Sequence, residues 1–392
     1  MPPDASLLGL PNFHIERVDG VETVQIRARY QGPVSCPRCG SAELRLKDTM
    51  ERVLRHASFG LRPCLLILET HKYRCKSCGR YFNQRFPGIG RWRRSTEPYR
   101  RQIFVQHHEG ISQKTLATRE RLGSATVYRW YQEFLDLKLR ERQNDPCPRV
   151  LGIDEHFFSR KDGFATTFCD LGKRKIFDVT LGRSVKALEP YLNRLVGKDQ
   201  VKVVCMDLST TYRSIVQKHF PKALIVADRF HVIRLMNHRF LEVWGRLDPT
   251  GKANRGLLSL MRRLPRNLKP DQWARLLEYL KAHPAMEAVY GFWQKLNRLL
   301  RIKHRTARHC RRLIPVFLKA LQELRSSRFA PLNLLGDTFD SWKEEIVRMW
   351  RFTKTNGITE GFHNKMEMIS RRAFGFRNFE NYRLRVRVLC GR

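Results

Sequence analysis

Two Cys-x-x-Cys pairs near the start of the chain constrain its fold more than any other feature. Cys36 and Cys39 lie in C-P-R-C-G, Cys75 and Cys78 lie in C-K-S-C-G, and short β-like runs separate the pairs. The turn within each pair brings both thiolates to one metal ion, and two such turns complete a tetrahedral Zn²⁺ site. A redox dithiol is the alternative, but neither pair opens the helix of a β-α-β unit. Residues 1–90 are therefore predicted to form a zinc ribbon with a structural zinc ion.

The chain is strongly basic. Its 392 residues include 75 Lys and Arg against 37 Asp and Glu, a formal net charge of +38. A compact protein with this excess repels itself unless a polyanion binds, and neutralisation of phosphates releases counterions and so favours binding. Because basic and aromatic residues are mixed along the whole chain, nucleic acid is favoured over a membrane surface or a general solubility bias.

Length and cysteine content indicate the number of domains and the cellular compartment. A chain of this length suits two to four domains. Its 10 cysteines are too few for a disulfide scaffold, which indicates a reducing compartment. The first residues lack the pattern of a signal peptide, and no apolar run approaches the roughly 18 residues of a membrane span. We therefore expect a cytoplasmic protein with no membrane partner.

Residues 91–148 are predicted to form a helix-turn-helix domain. Segments 110–117 and 122–131 are typical of two short helices joined by a tight turn. A plain helical hairpin is the alternative, because the motif is short and degenerate. Prolines at 146 and 148 then indicate a linker. The residues predicted to contact DNA here are Lys114, Thr126, Tyr128 and Arg129.

A different pattern begins at residue 149. Strand-like runs cover 149–158, 163–171 and 175–181, and they are followed by helix 184–195, strand 201–206, helix 210–219 and strand 223–227. This order is that of a ribonuclease H-like α/β core. The first part of the core is assigned to 149–234, an all-helical insertion to 235–350, and the last helix, beginning near Asn356, with the C-terminus to 351–392. The fold class is thus a multidomain α/β protein with zinc ribbon, helix-turn-helix and ribonuclease H-like core.

Three carboxylates stand where this core would bring them together. Asp154 lies in its first strand, Asp207 follows the fourth strand, and Glu360 lies in the first turns of the last helix. The first and fourth strands are neighbours in such a fold, and buried charges of one sign need pairing or a metal. Carboxylate oxygens suit Mg²⁺ or Mn²⁺, which promote in-line phosphoryl transfer. A catalytic divalent-metal site is therefore predicted.

Two assignments within this site stay open. Asp228 directly follows the fifth strand and is an alternative to Asp207 as a catalytic acid. Glu155 is the alternative to Asp154, since neighbouring residues of a strand face opposite sides of the sheet. Each acid taken alone is also consistent with a salt bridge to one of the many arginines.

The end of the chain contains further candidates for DNA contact. Asn364 lies four residues after Glu360, on the same helix face. Residues 370–379, which include Arg371 and Arg372, interleave basic and aromatic side chains, a composition that suits phosphate contact and base stacking. Packing of the phenylalanines in a core is an equally good explanation for the aromatic part of this pattern.

Taken together, these motifs resemble the bacterial insertion-sequence transposases of the ISL-three group. The resemblance covers nearly the whole chain, through the cysteine pairs, the helix-turn-helix, G-I-D-E at Asp154, D-L-S-T-T-Y at Asp207, A-D-R-F-H at Asp228 and T-N-G-I-T-E-G-F-H-N-K-M at Glu360. It implies a DDE transposase whose triad is Asp154, Asp207 or Asp228, and Glu360. The Lys that usually follows the Asn of the third motif is present as Lys365, another implied DNA contact.

The function implied by the resemblance is DNA transposition. The ribbon and the helix-turn-helix would recognise terminal inverted repeats in double-stranded DNA, and the acids would cleave the strand and join it to target DNA. A homodimer or larger assembly is expected because two ends must meet, in the bacterial cytoplasm and associated with the nucleoid. The alternatives are a domesticated regulator that binds DNA without catalysis, and a ribonuclease H-like nuclease that cuts without strand transfer.

Overall fold

The computed structural model describes residues 3–140, 145–352 and 357–391. The chain divides into two compact units, Met1–Arg140 and Glu141–Arg392, called unit 1 and unit 2 below. Asn356, the predicted start of the last helix, lies outside the described residues.

Unit 1 begins with a short helix and a sheet of five strands. The strands are ordered β1-β2-β4-β3, with β5 on β4; the β2–β4 pair is parallel and the other pairs are antiparallel. Leu66 and Leu68 of β4 are fully buried, as the two-residue period of a strand with one core face requires. The elements are α1 (Pro3–Leu8), β1 (Phe13–Asp19), β2 (Val24–Tyr30), β3 (Leu44–Phe59), β4 (Arg62–Cys75) and β5 (Tyr81–Asn83).

Three helices complete unit 1: α2 (Glu97–His108), α3 (Gln113–Arg119) and α4 (Ser124–Arg140). Thr96 and Ser112 cap α2 and α3, because their hydroxyls accept backbone N–H groups of the first turn. The helices share a small core that includes Leu116, Val127 and Trp130. His56 of β3 lies 2.9 Å (Nδ1 to Oγ1) from Thr96, which ties the sheet to the start of α2.

Unit 2 is built on a second sheet of five strands, ordered β10-β9-β6-β7-β8. The β6–β9 and β9–β10 pairs are parallel, whereas β7 is antiparallel to both β6 and β8. If the five strands β6 to β10 are numbered 1 to 5 in chain order, their order across the sheet is 3-2-1-4-5, with strand 2 antiparallel to its neighbours. This topology confirms the predicted ribonuclease H-like core. The strands are β6 (Val150–Ser159), β7 (Gly163–Asp170), β8 (Lys175–Leu181), β9 (Val203–Met206) and β10 (Leu224–Ala227).

Helices cover both faces of this sheet. Phe168 of β7 packs in one core with α5 and α6, whereas its neighbour Cys169 packs in another with α15 and α16. The four helices are α5 (Val185–Asn193), α6 (Thr210–His219), α15 (Gly357–Arg372) and α16 (Phe379–Cys390).

The predicted helical insertion is also confirmed. From Arg229 to Phe352, all of which is described, the regular elements are helices. Four of the α-helices begin with proline in the first turn, where its missing N–H costs nothing. The helices are α7 (Arg229–Leu247), α8 (Pro249–Ala253), α9 (Arg255–Met261), α10 (Pro270–Ala282), α11 (Pro284–Leu300), α12 (Ala307–Arg325), α13 (Ala330–Ser341) and α14 (Lys343–Arg348). Throughout the described ranges, none of the helices has the length and apolar character needed to cross a bilayer.

Candidate functional site

The four paired cysteines converge in unit 1. Their sulfur atoms all lie within 4.8 Å of one another, with 3.6 Å between Cys36 and Cys78 and 3.5 Å between Cys39 and Cys75. Since Zn–S bonds measure about 2.3 Å, the edge of a ZnS₄ tetrahedron is about 3.8 Å. The sulfur spacing is therefore close to that of a four-thiolate zinc site.

Both cysteine turns have the same backbone geometry. The N–H of Gly40 donates to the carbonyl of Cys36 at 2.9 Å, and the N–H of Gly79 donates to that of Cys75 at 3.0 Å. Each glycine has a positive φ, 74° and 70°, which L side chains disfavour. The glycine after each pair thus closes the turn that presents the two thiols.

The predicted helix-turn-helix residues lie on α3 and α4. Lys114, Tyr128 and Arg129 are exposed, and Thr126 is half-buried. Arg129 donates from Nη2 to the Thr126 hydroxyl at 3.3 Å. Alternation of these residues with the buried Val127 and Trp130 leaves one polar face of α4 towards solvent.

Strand register brings three aspartates of unit 2 into one row. Extending the β6–β9 register by two residues puts Asp154 beside Asp207, and extending the β9–β10 register by one puts Asp228 on the other side of Asp207. Neighbouring strands lie about 4.8 Å apart. Cys205, two residues before Asp207, packs in the core beneath α15, so the row lies on the sheet face that α15 covers.

Burial and mutual repulsion act on these carboxyl groups. Burial raises the pKa of Asp154 to about 7, opposed by His231 and the Glu155 N–H and reinforced by the charges of Asp228 and Asp207. Burial also raises the pKa of Asp207, where His231 again opposes the shift. The backbone N–H of Glu155 donates to Asp154 Oδ1 at 2.9 Å. The aspartates and His231 therefore form one electrostatically linked group.

Asp207 and Asp228 have different surroundings. Asp228 is 1% exposed, accepts the Phe230 N–H at 3.4 Å as the N-cap of α7, and its Oδ2 lies 3.7 Å from His231 Nε2. Asp207 Oδ1 is buried, and the described residues offer it no hydrogen-bond partner. A buried polar atom without a partner costs free energy unless a ligand satisfies it. Asp207 therefore retains a capacity to bind a ligand, whereas Asp228 helps to hold the start of α7.

Helix α15 packs against β6 and holds Glu360 in its first turn, exposed to solvent. One turn later, His363 Nδ1 lies 3.9 Å from Asp154 Oδ2. Residues three apart share a helix face, so Glu360 and His363 lie on the same side of α15. Over the described ranges, the cysteine set is the one group whose potential metal ligands all lie within 4.8 Å; Asp154, Asp207 and Glu360 do not form such a group.

A chain of hydrogen bonds fixes α15 and α16 on the sheet. The Thr167 hydroxyl lies 3.2 Å from His363 Nε2 and 3.0 Å from His156 Nδ1, and Tyr382 Oη lies 2.8 Å from His156 Nε2. The donor and acceptor in each of these contacts depend on the tautomers of the two histidines. The Thr167 hydroxyl thus bridges the two imidazole rings, and Tyr382 holds the far side of His156.

Glu155 belongs to the opposite side of the sheet. Its carboxylate lies 3.2 Å from Arg183 Nη1 and accepts the Tyr212 hydroxyl of α6 at 3.4 Å. The strand alternation that made Glu155 an alternative to Asp154 thus directs it away from α15.

Sequence reasoning missed His156, His363 and Thr167. The signal was present in the spacing, because His156 is two residues after Asp154 on a strand and His363 is three after Glu360 on a helix. Thr167 has no comparable signal, since only the β6–β7 register sets it opposite Asp154.

The predicted C-terminal DNA contacts lie on α15. Asn364 and Arg372 are exposed on α15. Lys365 donates to the carbonyl of Leu389 at 2.7 Å, and Arg371 pairs with Glu367 at 2.6 Å.

Comparison with known proteins then identifies the family. The family model of the ISL3-type DDE transposases, described as transposase, matches residues 151–386, which is more than half of the chain. The chain belongs to the ISL3 transposase family. The match spans the whole row of aspartates, the helical insertion and α15, and it confirms the resemblance noted from the sequence.

Two further matches agree with this assignment to the ISL3 family. A model described as the zinc finger of transposases IS204, IS1001, IS1096 and IS1165 matches residues 32–78, which contain all four paired cysteines. The chain is also similar to the transposase for insertion sequence element IS1001 of Bordetella parapertussis. The two are 25% identical over 403 residues, covering 98% of this chain and 96% of that protein.

Proposed function

We propose that this ISL3-family transposase binds the ends of its mobile element through unit 1 and cleaves and joins DNA with Asp154, Asp207 and Glu360. The observation that carries the proposal is the row of three aspartates on neighbouring strands beneath α15. A row of like charges is unfavourable in itself, which supports a role in binding a cation rather than in stability.

The residues of the row fit a hard divalent cation. Asp207 offers a buried oxygen without a partner among the described residues, and burial beside the other aspartates raises the pKa of Asp154, which a bound cation would oppose. Asp154 and Asp207 would hold Mg²⁺ or Mn²⁺, with Glu360 supplied by α15. When bound, such ions activate the attacking oxygen and stabilise the leaving oxygen of a phosphoryl transfer.

The surrounding side chains support and orient these acids. Asp228 caps α7, and the nearby His231 opposes the negative charge of the row. Its engagement with α7 favours Asp207 as the second acid. His363 sits between Thr167 and Asp154 and so holds the face of α15 that bears Glu360 towards the sheet.

Unit 1 is proposed to bind the transposon ends. The four cysteines would hold Zn²⁺, and an ion bound only by the folded state stabilises the ribbon. The exposed face of α4, with Tyr128 and Arg129, and Lys114 of α3 would contact the double helix. Asn364, Lys365, Arg371 and Arg372 are proposed as further contacts, and two ends meeting in one complex would require a dimer or larger assembly.

A strand-transfer assay with purified protein, end DNA and Mg²⁺ tests the catalytic proposal. Asp154→Asn, Asp207→Asn and Glu360→Gln should each lower cleavage and joining by about 100-fold or more, because each removes a group worth several kcal/mol in the transition state. Glu367→Gln is the matched control, since Glu367 is an exposed acid two turns further along α15.

Each alternative gives a different result. End binding without cleavage by the unaltered protein would indicate a regulator, and cleavage without joining would indicate a nuclease. Full activity of Asp154→Asn or Glu360→Gln would refute the assignment of the acids. A loss for Asp228→Asn equal to that of Asp154→Asn, together with an active Asp207→Asn, would exchange the two candidates for the second acid.

A further inference from the structure

A groove of about 1000 Å³ lies beside the aspartate row in unit 2. Asp207 is part of its lining, so the groove reaches one of the proposed catalytic acids. Side chains of α7 form much of its wall, together with Trp293 of α11 and residues that follow α9 and α11. The groove thus runs from the core into the helical insertion.

The lining of the groove is basic. Arg234, Arg262 and Lys303 are exposed, and no carboxylate in the described part of the chain pairs with them. Arg301 also lines the groove, and its Nε donates to the Asn297 side chain at 2.8 Å. Among the described residues that line the groove, Asp207 is the one acidic side chain. The groove therefore favours an anionic ligand that extends away from the acids.

Aromatic rings lie among these cations. Phe230, which directly follows Asp228 and Arg229 in the chain, is 46% exposed and lines the groove. The buried Trp293 stacks on the buried Phe240 with ring centroids 4.8 Å apart, and its Nε1 donates to Asn237 at 2.9 Å. Phe230 is thus the exposed ring beside the unpaired cations, and an exposed ring and cations are the two elements that bind single-stranded nucleic acid, by base stacking and by phosphate attraction.

We propose that this groove binds an unpaired segment of DNA strand, a few nucleotides long, next to the bond that is cut. Its volume is at the upper limit of pockets for small ligands. A duplex, whose major groove alone is about 12 Å wide, is too large to enter it. One base stacks on Phe230, and the backbone phosphates lie along Arg234, Arg262 and Lys303. This inference rests on the proposed function, because the strand that enters the groove is the one that is cut at Asp207.

The test compares two DNA ends bound by the full-length protein in Ca²⁺. One end is paired throughout, and the other has three mismatched bases beside the cleavage site. The unaltered protein should bind the mismatched end about tenfold more tightly, since stacking of one base accounts for a change of that order. The ratio of the two affinities removes any general effect of charge on DNA binding.

Matched variants locate the preference. Phe230→Leu and the pair Arg234→Ala with Lys303→Ala should bring the ratio close to one, whereas Phe230→Trp should preserve it. The control pair, Arg255→Ala with Lys281→Ala, removes exposed cations of the same insertion that do not line the groove, and it should leave the ratio unchanged.

The possible results separate this inference from the proposed function. A ratio near one for the unaltered protein, or an unchanged ratio in Phe230→Leu and the groove pair, would overturn the groove assignment while end binding and cleavage stand. If the unaltered protein bound neither end, the proposed function would fall and this inference with it.

Discussion

Replacement of Thr167 by valine should loosen α15 and α16 on the sheet. Thr167 is fully buried, and its hydroxyl is shared by two histidine rings, at 3.0 Å from His156 and 3.2 Å from His363. Valine has nearly the same shape, so the substitution removes hydrogen bonds with little change in packing. Thr167→Ser keeps the hydroxyl and serves as the conservative variant.

The magnitude follows from the two ring nitrogens that lose their partner. Burial lowers the pKa of His156 to about 3 and that of His363 to about 4, so both rings are neutral at pH 7. Leaving a buried polar group without a partner costs about 1–3 kcal/mol. We expect a total cost of about 2–4 kcal/mol, because Tyr382 remains hydrogen-bonded to the other nitrogen of His156.

Hydrogen exchange of the intact protein measures this cost element by element. Thr167→Val should lower the protection of α15 and α16, slow strand transfer and leave α2 to α4 unchanged, and Thr167→Ser should restore most of both. Thr70→Val is the control, because Thr70 is 2% exposed and its hydroxyl has no partner among the described residues, so its loss should be neutral or stabilising. Unchanged protection of α15 in Thr167→Val would refute the role assigned to the hydrogen-bond chain.

Three further predictions concern unit 1. Burial lowers the pKa of His56 to about 4, so between pH 6.5 and 4 the unfolded chain binds a proton that the folded chain does not, and stability should fall by up to about 3 kcal/mol as pH decreases. Unfolding at several pH values should show a shallower fall in His56→Gln, and equal falls would contradict this; acid release of zinc affects both proteins alike. Gly79→Ala should weaken zinc binding about tenfold in a chelator competition, because φ is 70° there, whereas Gly123→Ala, without a positive φ, should have little effect. Arg129→Ala should reduce the slope of log affinity for end DNA against log salt by about one, and an unchanged slope would remove Arg129 from the phosphate contacts.

The strands of the unit 2 core were predictable because period and length are local signals. Runs at 163–171 and 175–181 correspond to β7 (Gly163–Asp170) and β8 (Lys175–Leu181) within one residue at either end. The helical insertion was predictable because a long stretch lacks the two-residue alternation of strands, and prolines divide it into separate helices. The cysteine pairs were informative because metal geometry imposes their spacing.

The candidate site was only partly predictable, because its contacts depend on register. Asp207 and Asp228 both directly follow a strand, and nothing in their local sequence distinguishes them. Their difference arises in three dimensions: the Asp228 side chain caps α7, whereas a buried oxygen of Asp207 has no partner in the described part of the chain. Glu360 could be assigned to a helix, but the residues that orient that helix belong to β6 and β7.

The short segment at 227–231 explains how the insertion and the acids are joined. Ala227 ends β10, and Asp228 begins α7 as its cap. The buried Arg229 guanidinium donates to the carbonyls of three residues in or just after α11 and α14: Leu300, Ile302 and Met349. Phe230 lines the groove and His231 opposes the charge of the aspartates. Successive residues of a helix point about 100° apart. One turn can therefore cap α7, donate hydrogen bonds to the ends of α11 and α14, line the groove and face the aspartates. A shift of α7 by one residue would break all four arrangements, so this turn is the structural link between the core and its insertion.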